Sequence, residues 1–342
     1  MSLKNLNVVS KIPKFLKSKL KNNKINQIYK KFEKSLGIYN KFIVAVSGGP
    51  DSLALAFFAQ IYSIKNQVPA KFLIVDHKLR PDSTKEARQV QQLLKRIFVK
   101  SEILTWKGKK PLKNIQGIAR TKRYELLFKK SDKLKIDNIL LGHHQDDLFE
   151  NFFIRMLRGS GLKGLVSLDK ETQMSGKRLL RPLLDQKKKD LVFISKNIFN
   201  FYVKDPSNKD EKYQRTKVRK LIFDLQNNGL EEIKFHKTIK NLKNSNTVVN
   251  FYVDENIKKN TFFSKNQNKI LLNKNFFNQP NEIIFRGLSE IIKQIGKKYY
   301  SARGKKLDKI IDEIENHQYF KSTLGGCVIE KVNQTVIISK ER

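Results

Sequence analysis

A single cysteine, Cys327, is the entire thiol content of this 342-residue chain. One thiol excludes, within one chain, a disulfide framework, a Cys-rich zinc site and paired-thiol redox chemistry. Acidic residues are also scarce: 32 Asp+Glu stand against 70 Lys+Arg, a formal net charge of +38. Such an excess attracts polyanions, and nucleic acid is the natural partner. The Lys-, Asn- and Ile-rich composition that an AT-rich coding sequence produces accounts for part of the excess without removing its electrostatic effect. No stretch of about 18 uninterrupted apolar residues occurs, so no membrane span is expected. Residues 1–41 combine many lysines with one acid, Glu33. They lack the apolar core of a secretory signal and the Arg/Ser character of a transit peptide, so a basic helical extension in a cytoplasmic protein is expected.

What is present is a globular composition, 39% hydrophobic with 10% aromatic residues, long enough for two or three domains. From residue 41 onward, short apolar runs alternate with longer stretches of helical spacing. Strands are predicted at Phe42–Val46, Phe72–Val75, Glu102–Trp106 and Asn138–Gly142, with helices over Leu53–Ile64, Thr84–Val99 and Ile115–Lys130 between them. That alternation predicts βαβ units, a parallel sheet and ligand binding beyond the carboxyl ends of the strands. Helices are further expected at Lys187–Asn197, Tyr213–Leu225, Glu282–Gly296 and Gly304–Asn316. The stretch from 228 to 275 is polar and weakly periodic, and a hairpin around Asn333-Gln334 closes the chain. Three parts follow: the extension (1–40), an α/β domain (41–226) and a smaller, mainly helical domain ending in the hairpin (227–342).

The most informative segment is Ser47-Gly48-Gly49-Pro50-Asp51-Ser52, set between the first strand and the first helix. A strand, a tight glycine turn and a helix aim backbone N–H groups and a positive helix end at one point, which suits a phosphate. The lysine of a Walker A loop is missing, and an acid, Asp51, suited to Mg²⁺, is present instead. The same hexapeptide also suits an ordinary Gly-Pro turn. Asp76-His77-Lys78-Leu79-Arg80 ends the second strand, and Gln116, Arg120, Arg123 and Tyr124 share a helix face. The densest polar cluster is Gly142-His143-His144-Gln145-Asp146-Asp147 with Glu150. Its acids suit a helix N-terminus or a Mg²⁺–nucleotide site, whereas adjacent histidines point apart and make a poor metal pair. Arg158, Lys163, Arg215 and Arg219 supply cations for phosphates.

Taken in chain order, Ser-Gly-Gly-Pro-Asp-Ser, Asp-His-Lys-Leu-Arg, Gln-x-x-Ala-Arg-x-x-Arg-Tyr, Gly-His-His-x-Asp-Asp, Arg-Gly-Ser-Gly-Leu-x-Gly-Leu, Arg-Pro-Leu-Leu and Asp-Pro-Ser-Asn (205–208) resemble one family. It is the tRNA(Ile)-lysidine synthetase family of the PP-loop (N-type) ATP pyrophosphatases, matched from residue 42 to about 220. The resemblance implies a C–N ligase that adenylates the wobble cytidine of a CAU-anticodon tRNA(Ile) with ATP. Free L-lysine then displaces AMP from C2. It also implies that Ser47, Gly48, Gly49, Pro50, Asp51, Ser52, Asp76, His77, Gly142 and His143 bind the nucleotide, with Mg²⁺ on Asp51 and Asp146. Asp146 and Asp147 hold the metal, activate the lysine amine, or both. Glu150 and Arg120 serve lysine recognition and the phosphates or cytidine. Arg158, Lys163, Arg181, Arg215 and Arg219 face tRNA, residues 227–342 form a tRNA-binding domain that grips the tRNA stem, and a homodimer is expected. Asn151 replaces a frequent Thr, and Thr216 replaces the Asn of Arg-Asn-x-x-Arg. The rivals are a thiolase-like PP-loop enzyme, which needs several cysteines, and a non-catalytic basic tRNA-binding protein.

Overall fold

The computed structural model describes residues 12–37, 40–108, 111, 115–203, 214–264, 269–297 and 304–341, with the side chain of Gln116 excepted. Asp205-Pro206-Ser207-Asn208, Tyr213 and the first eleven residues of the extension lie outside the described residues. Two compact units form, Met1–Leu230 and Glu231–Arg342. Among the described residues no helix is long and apolar enough to cross a membrane.

The first unit opens with α1 (Lys14–Leu20) and α2 (Asn23–Leu36). Asn22 caps α2 by accepting from the Ile25 N–H at 3.2 Å, and Gly37, at φ +45°, ends it. The apolar positions Ile25, Ile28, Tyr29, Phe32 and Leu36 fall on one face and are buried. Residues 42–140 then alternate as predicted: β1 (Phe42–Val46), α3 (Pro50–Asn66), β2 (Ala70–Asp76), α4 (Ser83–Lys95), β3 (Ser101–Thr105), α5 (Ile115–Leu134) and β4 (Asn138–Leu140). Next come α6 (Gln145–Met156), a short α7 (Leu162–Leu165), the hairpin β5 (Glu171–Met174) and β6 (Lys177–Leu180), α8 (Lys188–Phe199) and α9 (Gln214–Asn227).

The six strands are ordered β3-β2-β1-β4-β6-β5. Only the β5–β6 pair is antiparallel; every other neighbouring pair is parallel. Strand order therefore reverses direction between β1 and β4, and a ligand crevice opens beyond the carboxyl ends at such a switch point. The Ser47–Ser52 loop leaves β1 there, and Gly142–Asp147 leaves β4 beside it.

A core of α1, α2, α3, α8 and the sheet includes Leu16, Phe32, Phe42, Phe57, Phe58 and Leu191. Residues 14–36 are thus part of this unit's packing. The Phe32 ring lies 5.5 Å from Phe58 and 6.3 Å from Tyr62, centroid to centroid.

In the second unit, a 29-residue helix α10 (Glu232–Asn260) fills most of the stretch where the sequence shows little periodicity. It is followed by β7 (Thr261–Ser264), β8 (Lys269–Leu272), α11 (Lys274–Phe277), α12 (Asn281–Ile295), α13 (Gly304–Asn316), β9 (Tyr319–Leu324), β10 (Cys327–Val332) and β11 (Thr335–Lys340). The terminal β10–β11 hairpin belongs to a five-stranded antiparallel sheet, β7-β8-β11-β10-β9. Cys327 is buried in that unit's core.

Phe32→Ala removes a fully buried ring from the α2–α3 contact and is expected to destabilise the chain by about 3–5 kcal/mol. Urea unfolding checks this; a loss near zero would show that α2 is not part of the cooperative core.

Candidate active site

The loop after β1 is built around one hydroxyl. Ser52 Oγ accepts from the Ser47 N–H (3.1 Å), the Gly48 N–H (3.1 Å) and the Ser47 hydroxyl (3.2 Å), and donates to the Gly49 carbonyl (3.0 Å). Ser52 thereby fixes the turn from within. Gly48 has φ +88°, and a Cβ there would overlap the Val90 Cγ2 methyl and approach Val203 Cγ2 to 3.1 Å. Backbone conformation and space both demand glycine. The Gly48 carbonyl accepts from the Val203 N–H at 3.0 Å, so the segment after α8 holds the loop from the other side. Gly49 is the N-cap of α3 and Pro50 its first residue, leaving the first-turn N–H groups without intrahelical acceptors.

The turn after β4 lies directly on that helix end. A Cβ at Gly142 would stand 3.1 Å from both Ser52 Cα and Ser52 N. This contact brings His144, the N-cap of α6, among three carboxylates: Asp51 Oδ2 at 3.6 Å, Asp146 Oδ1 at 3.7 Å and Asp147 Oδ2 at 3.4 Å. The first two separations are ionic rather than hydrogen-bonding. His144 is 2% exposed. Burial disfavours its charge, but Asp146, Asp51 and Asp147 override burial and raise its pKa to about 10. An imidazolium therefore sits at the centre of the cluster at neutral pH. His143 behaves oppositely. Burial pushes it down to about 3 and Arg181, Arg120 and Arg215 add to the effect, against Asp147, so it stays neutral. The two adjacent histidines differ in charge.

Asp147 Oδ2 accepts from the His144 N–H at 3.2 Å. Burial works to raise its carboxyl, but His144 and, more weakly, Arg215 hold it low. The half-exposed Asp146 accepts from the Lys188 N–H at 3.3 Å and is held low, against burial, chiefly by His144. Asp76, at the end of β2, has both oxygens engaged: Thr84 Oγ1 donates at 2.7 Å and the Lys78 N–H at 3.0 Å. Its carboxylate thus pins the β2–α4 turn, in which Lys78 takes φ +49°. Beside it, burial and then Arg123 hold His77 down to about 4, and Arg123 Nε donates to His77 Nε2 at 3.4 Å. Four buried polar atoms around the cleft, Asp51 Oδ1 and Nδ1 of His77, His143 and His144, have no protein hydrogen-bond partner among the described residues. His144 Nδ1 faces Asp146 Oδ1 at 3.7 Å; buried polar atoms are normally satisfied, so the other three point to a polar ligand or water.

Of the expected cations, Arg219 and Arg215 converge on Glu150, which is 2% exposed. Arg219 Nε donates to Oε1 at 2.5 Å and its Nη2 to Oε2 at 3.4 Å, with Arg215 Nε 3.9 Å from Oε2. Burial and then Asp147 push the Glu150 carboxyl up, and Arg219 is the main opposing influence. Arg181 is buried and donates to the Asp169 carbonyl (2.7 Å) and Thr172 Oγ1 (3.1 Å), pinning β5–β6. Arg120 is exposed, with its guanidinium 5.3 Å over the Tyr124 ring. Arg158 donates to Gln214 at 2.6 Å, and Lys163 lies on α7. The departure at Asn151 keeps a polar contact, donating to Ser167 Oγ at 3.3 Å. The cluster thus assembles Ser47–Ser52, Gly142, Asp51, Asp146 and Asp147, and it gives a central place to His144, a member of the polar cluster to which the sequence assigns no role. Its signal was its position, an N-cap with acids two and three residues on.

Mg²⁺ fits the donor set. Asp51 Oδ1 is a buried, unpartnered carboxylate oxygen beside a phosphate-type loop, and Mg²⁺ on a nucleotide takes one or two carboxylates plus phosphates and water. Among the described residues no group of three or more ligands would hold a metal by itself.

Gly48→Ala is expected to lower both stability and nucleotide affinity, by about 2 kcal/mol or more in stability, from overlap and backbone strain together; thermal melting and equilibrium ATP binding read the two effects. Arg219→Ala leaves Glu150 buried without its main partner and should cost about 3 kcal/mol. Adding Glu150→Gln to that variant should return part of the loss, and a further loss would refute the pairing.

The PP-loop domain family model matches residues 18–226. A tRNA(Ile)-lysidine synthase of Wolbachia sp. subsp. Brugia malayi (strain TRS) is 33% identical over 316 residues, covering 88% of this chain and 71% of that protein. The tRNA(Ile)-lysidine synthase of Orientia tsutsugamushi (strain Boryong) is 34% identical over 315 residues, covering 88% and 70%. Among solved structures, a U34-tRNA thiolase from Methanococcus maripaludis with its 4Fe-4S cluster shares the fold, at TM-score 0.54 and 17% identity over 65% of this chain and 78% of that one. A family match over more than half the chain, and relatives of this identity aligned over most of both partners, establish that the chain belongs to the PP-loop family and, within it, to the tRNA(Ile)-lysidine synthases.

Proposed function

We propose that the chain joins free L-lysine to the wobble cytidine of a CAU-anticodon tRNA(Ile) at the expense of ATP. The observation that carries this is the contact of Gly142 with Ser52, which places an ATP-type loop and a carboxylate cluster in one cleft. In the first step the cytidine O2 attacks the α-phosphorus and pyrophosphate leaves. In the second, the lysine side-chain amine bonds to C2, the C2–O bond breaks, and AMP leaves with the oxygen. The amine sheds its protons as the bond forms.

The N-terminal N–H groups of α3 bind and orient the β- and γ-phosphates, and Gly48 and Gly49 let them approach the backbone. Asp51, with Asp146, is the residue pair to hold Mg²⁺, which when bound neutralises charge on the phosphates as pyrophosphate departs. The His144 imidazolium keeps three carboxylates within one small volume, two of them, Asp51 and Asp147, little exposed. Asp146, half exposed, is the carboxylate open to an incoming ammonium, and Asp147 lies next to it to take a proton. Glu150 aims Arg219 and Arg215 at the cleft rim, where they serve RNA phosphates. Arg120 is poised on its exposed face for phosphate or cytidine. Cys327 is the sole cysteine, so the several thiols of sulfur-transfer chemistry are missing from this chain, which supports lysine over a sulfur donor. A cytoplasmic homodimer completes the proposal.

The tRNA is incubated with ATP, Mg²⁺ and lysine and then analysed by mass. The expected product carries one cytidine heavier by a lysine less a water, with AMP formed only when all three substrates are present. Asp51→Asn and Asp146→Asn should each reduce tRNA-dependent pyrophosphate release to background. Full release by either variant would remove that residue from the chemistry.

A further inference from the structure

The positive charge of this chain is unevenly placed. Residues 1–230 carry 49 basic against 20 acidic side chains, a net of +29, while residues 231–342 carry 21 against 12, a net of +9. Within the first unit the excess is steepest at the start: residues 1–41 hold eleven lysines and one acid, Glu33. That acid is already taken, by Lys65 Nζ at 2.8 Å and the Tyr29 hydroxyl at 3.0 Å. Lys24 pairs with Asp190 at 2.6 Å. Lys14, Lys17, Lys21, Lys30, Lys31 and Lys34 are exposed and form no ion pair with any described residue.

We propose that the outer face of α1 and α2 is a second nucleic-acid surface, separate from the cleft, that grips the sugar–phosphate backbone of the tRNA substrate; the identity of that RNA rests on the function proposed above.

Three observations favour RNA. First, the lysines stand on a rigid frame. Leu16, Ile25 and Phe32 anchor both helices in the core, Lys19 Nζ donates to the Asn197 carbonyl at 2.7 Å, and the Ser35 hydroxyl to the Pro182 carbonyl at 3.3 Å. Second, α2 is about 21 Å long at 1.5 Å per residue, several phosphate spacings of a nucleic-acid strand. Third, a membrane-surface helix needs an apolar face to insert. Here Tyr29 and Phe32 of α2 pack on Phe58 and Tyr62 of α3, and no large hydrophobic side chain of residues 12–37 is more than partly exposed. The exposed side chains of the outer face include these six lysines.

The surface is also distant from the chemistry. α2 meets α3 at Phe58, Tyr62 and Lys65. Those positions are roughly 12–22 Å along the helix from the loop at Pro50. Neutralising the lysines should therefore weaken RNA binding and leave ATP handling alone.

The test is the five-fold variant Lys14→Gln, Lys17→Gln, Lys30→Gln, Lys31→Gln, Lys34→Gln, with its melting temperature confirming an intact fold. Binding of the CAU-anticodon tRNA is titrated across a salt series. The slope of log affinity against log salt is expected to fall by about 3, and affinity at moderate salt by about tenfold or more. The KM for tRNA should rise correspondingly while kcat and the KM for ATP hold. The matching five-fold Lys→Arg variant should keep the wild-type slope. Unchanged slope and affinity in the Gln variant would overturn the proposal. So would binding of phosphatidylserine vesicles that the Gln variant loses while its tRNA affinity is retained. Because binding is read directly, wild type that grips tRNA through these lysines without forming lysidine would refute the proposed reaction and leave this surface standing.

Discussion

Everything in the cleft depends on one backbone approach, that of Gly142 to the first turn of α3. Parallel pairing of β4 with β1 sets the two strand ends side by side, but pairing alone does not fix how closely their following turns pack. A Cβ at residue 142 would stand 3.1 Å from Ser52 Cα and N, tight enough that the backbone of α3 would have to give by a few tenths of an ångström. Beside this approach His144 lies 3.6 Å from Asp51 Oδ2 and 3.4 Å from Asp147 Oδ2. A cleft of this kind is a consequence of strand order first and of side-chain chemistry second.

The electrostatics follow from that closeness. Three carboxylates near one another in a poorly hydrated crevice would repel and tend to protonate. A buried imidazolium beside them works against burial to hold the Asp146 and Asp147 carboxyls low, at the expense of a histidine that titrates far from its ordinary range. Its neighbour His143, one residue away and facing arginines, is driven in the opposite direction. The contrast shows how little residue type alone says about charge in this crevice; the facing groups on other elements decide.

Much of the first unit was legible in the sequence. The β1 segment, Phe42–Val46, is a short β-branched run ended by glycines, and nothing but a buried parallel strand accommodates it there. The phosphate-type loop and the carboxylate cluster were legible because each is contiguous. Other features were not, for identifiable reasons. The long α10 is Asn- and Lys-rich, with few buried apolar side chains, so its periodicity is faint. Its asparagines have a partner that only tertiary structure supplies: Asn246 and Asn250 both accept from the buried Arg286 of α12, at 2.7 and 2.9 Å. The Glu150–Arg219 pair joins residues 69 apart in the chain, beyond any local pattern. The resemblance assigns Arg181 to tRNA; its Nη1 contacts with the Asp169 carbonyl and Thr172 Oγ1 exist only once the β5–β6 hairpin has folded. Strand β6 is four residues long and its pairing with β4 is invisible before folding.

The hydroxyl of Ser52, occupied on every side by its own loop, has an implication for kinetics. A loop already closed on itself does not have to organise around an incoming nucleotide, so little conformational entropy is lost on arrival. Capture is then governed by encounter and by the protein's positive field, with no slow ordering step in between.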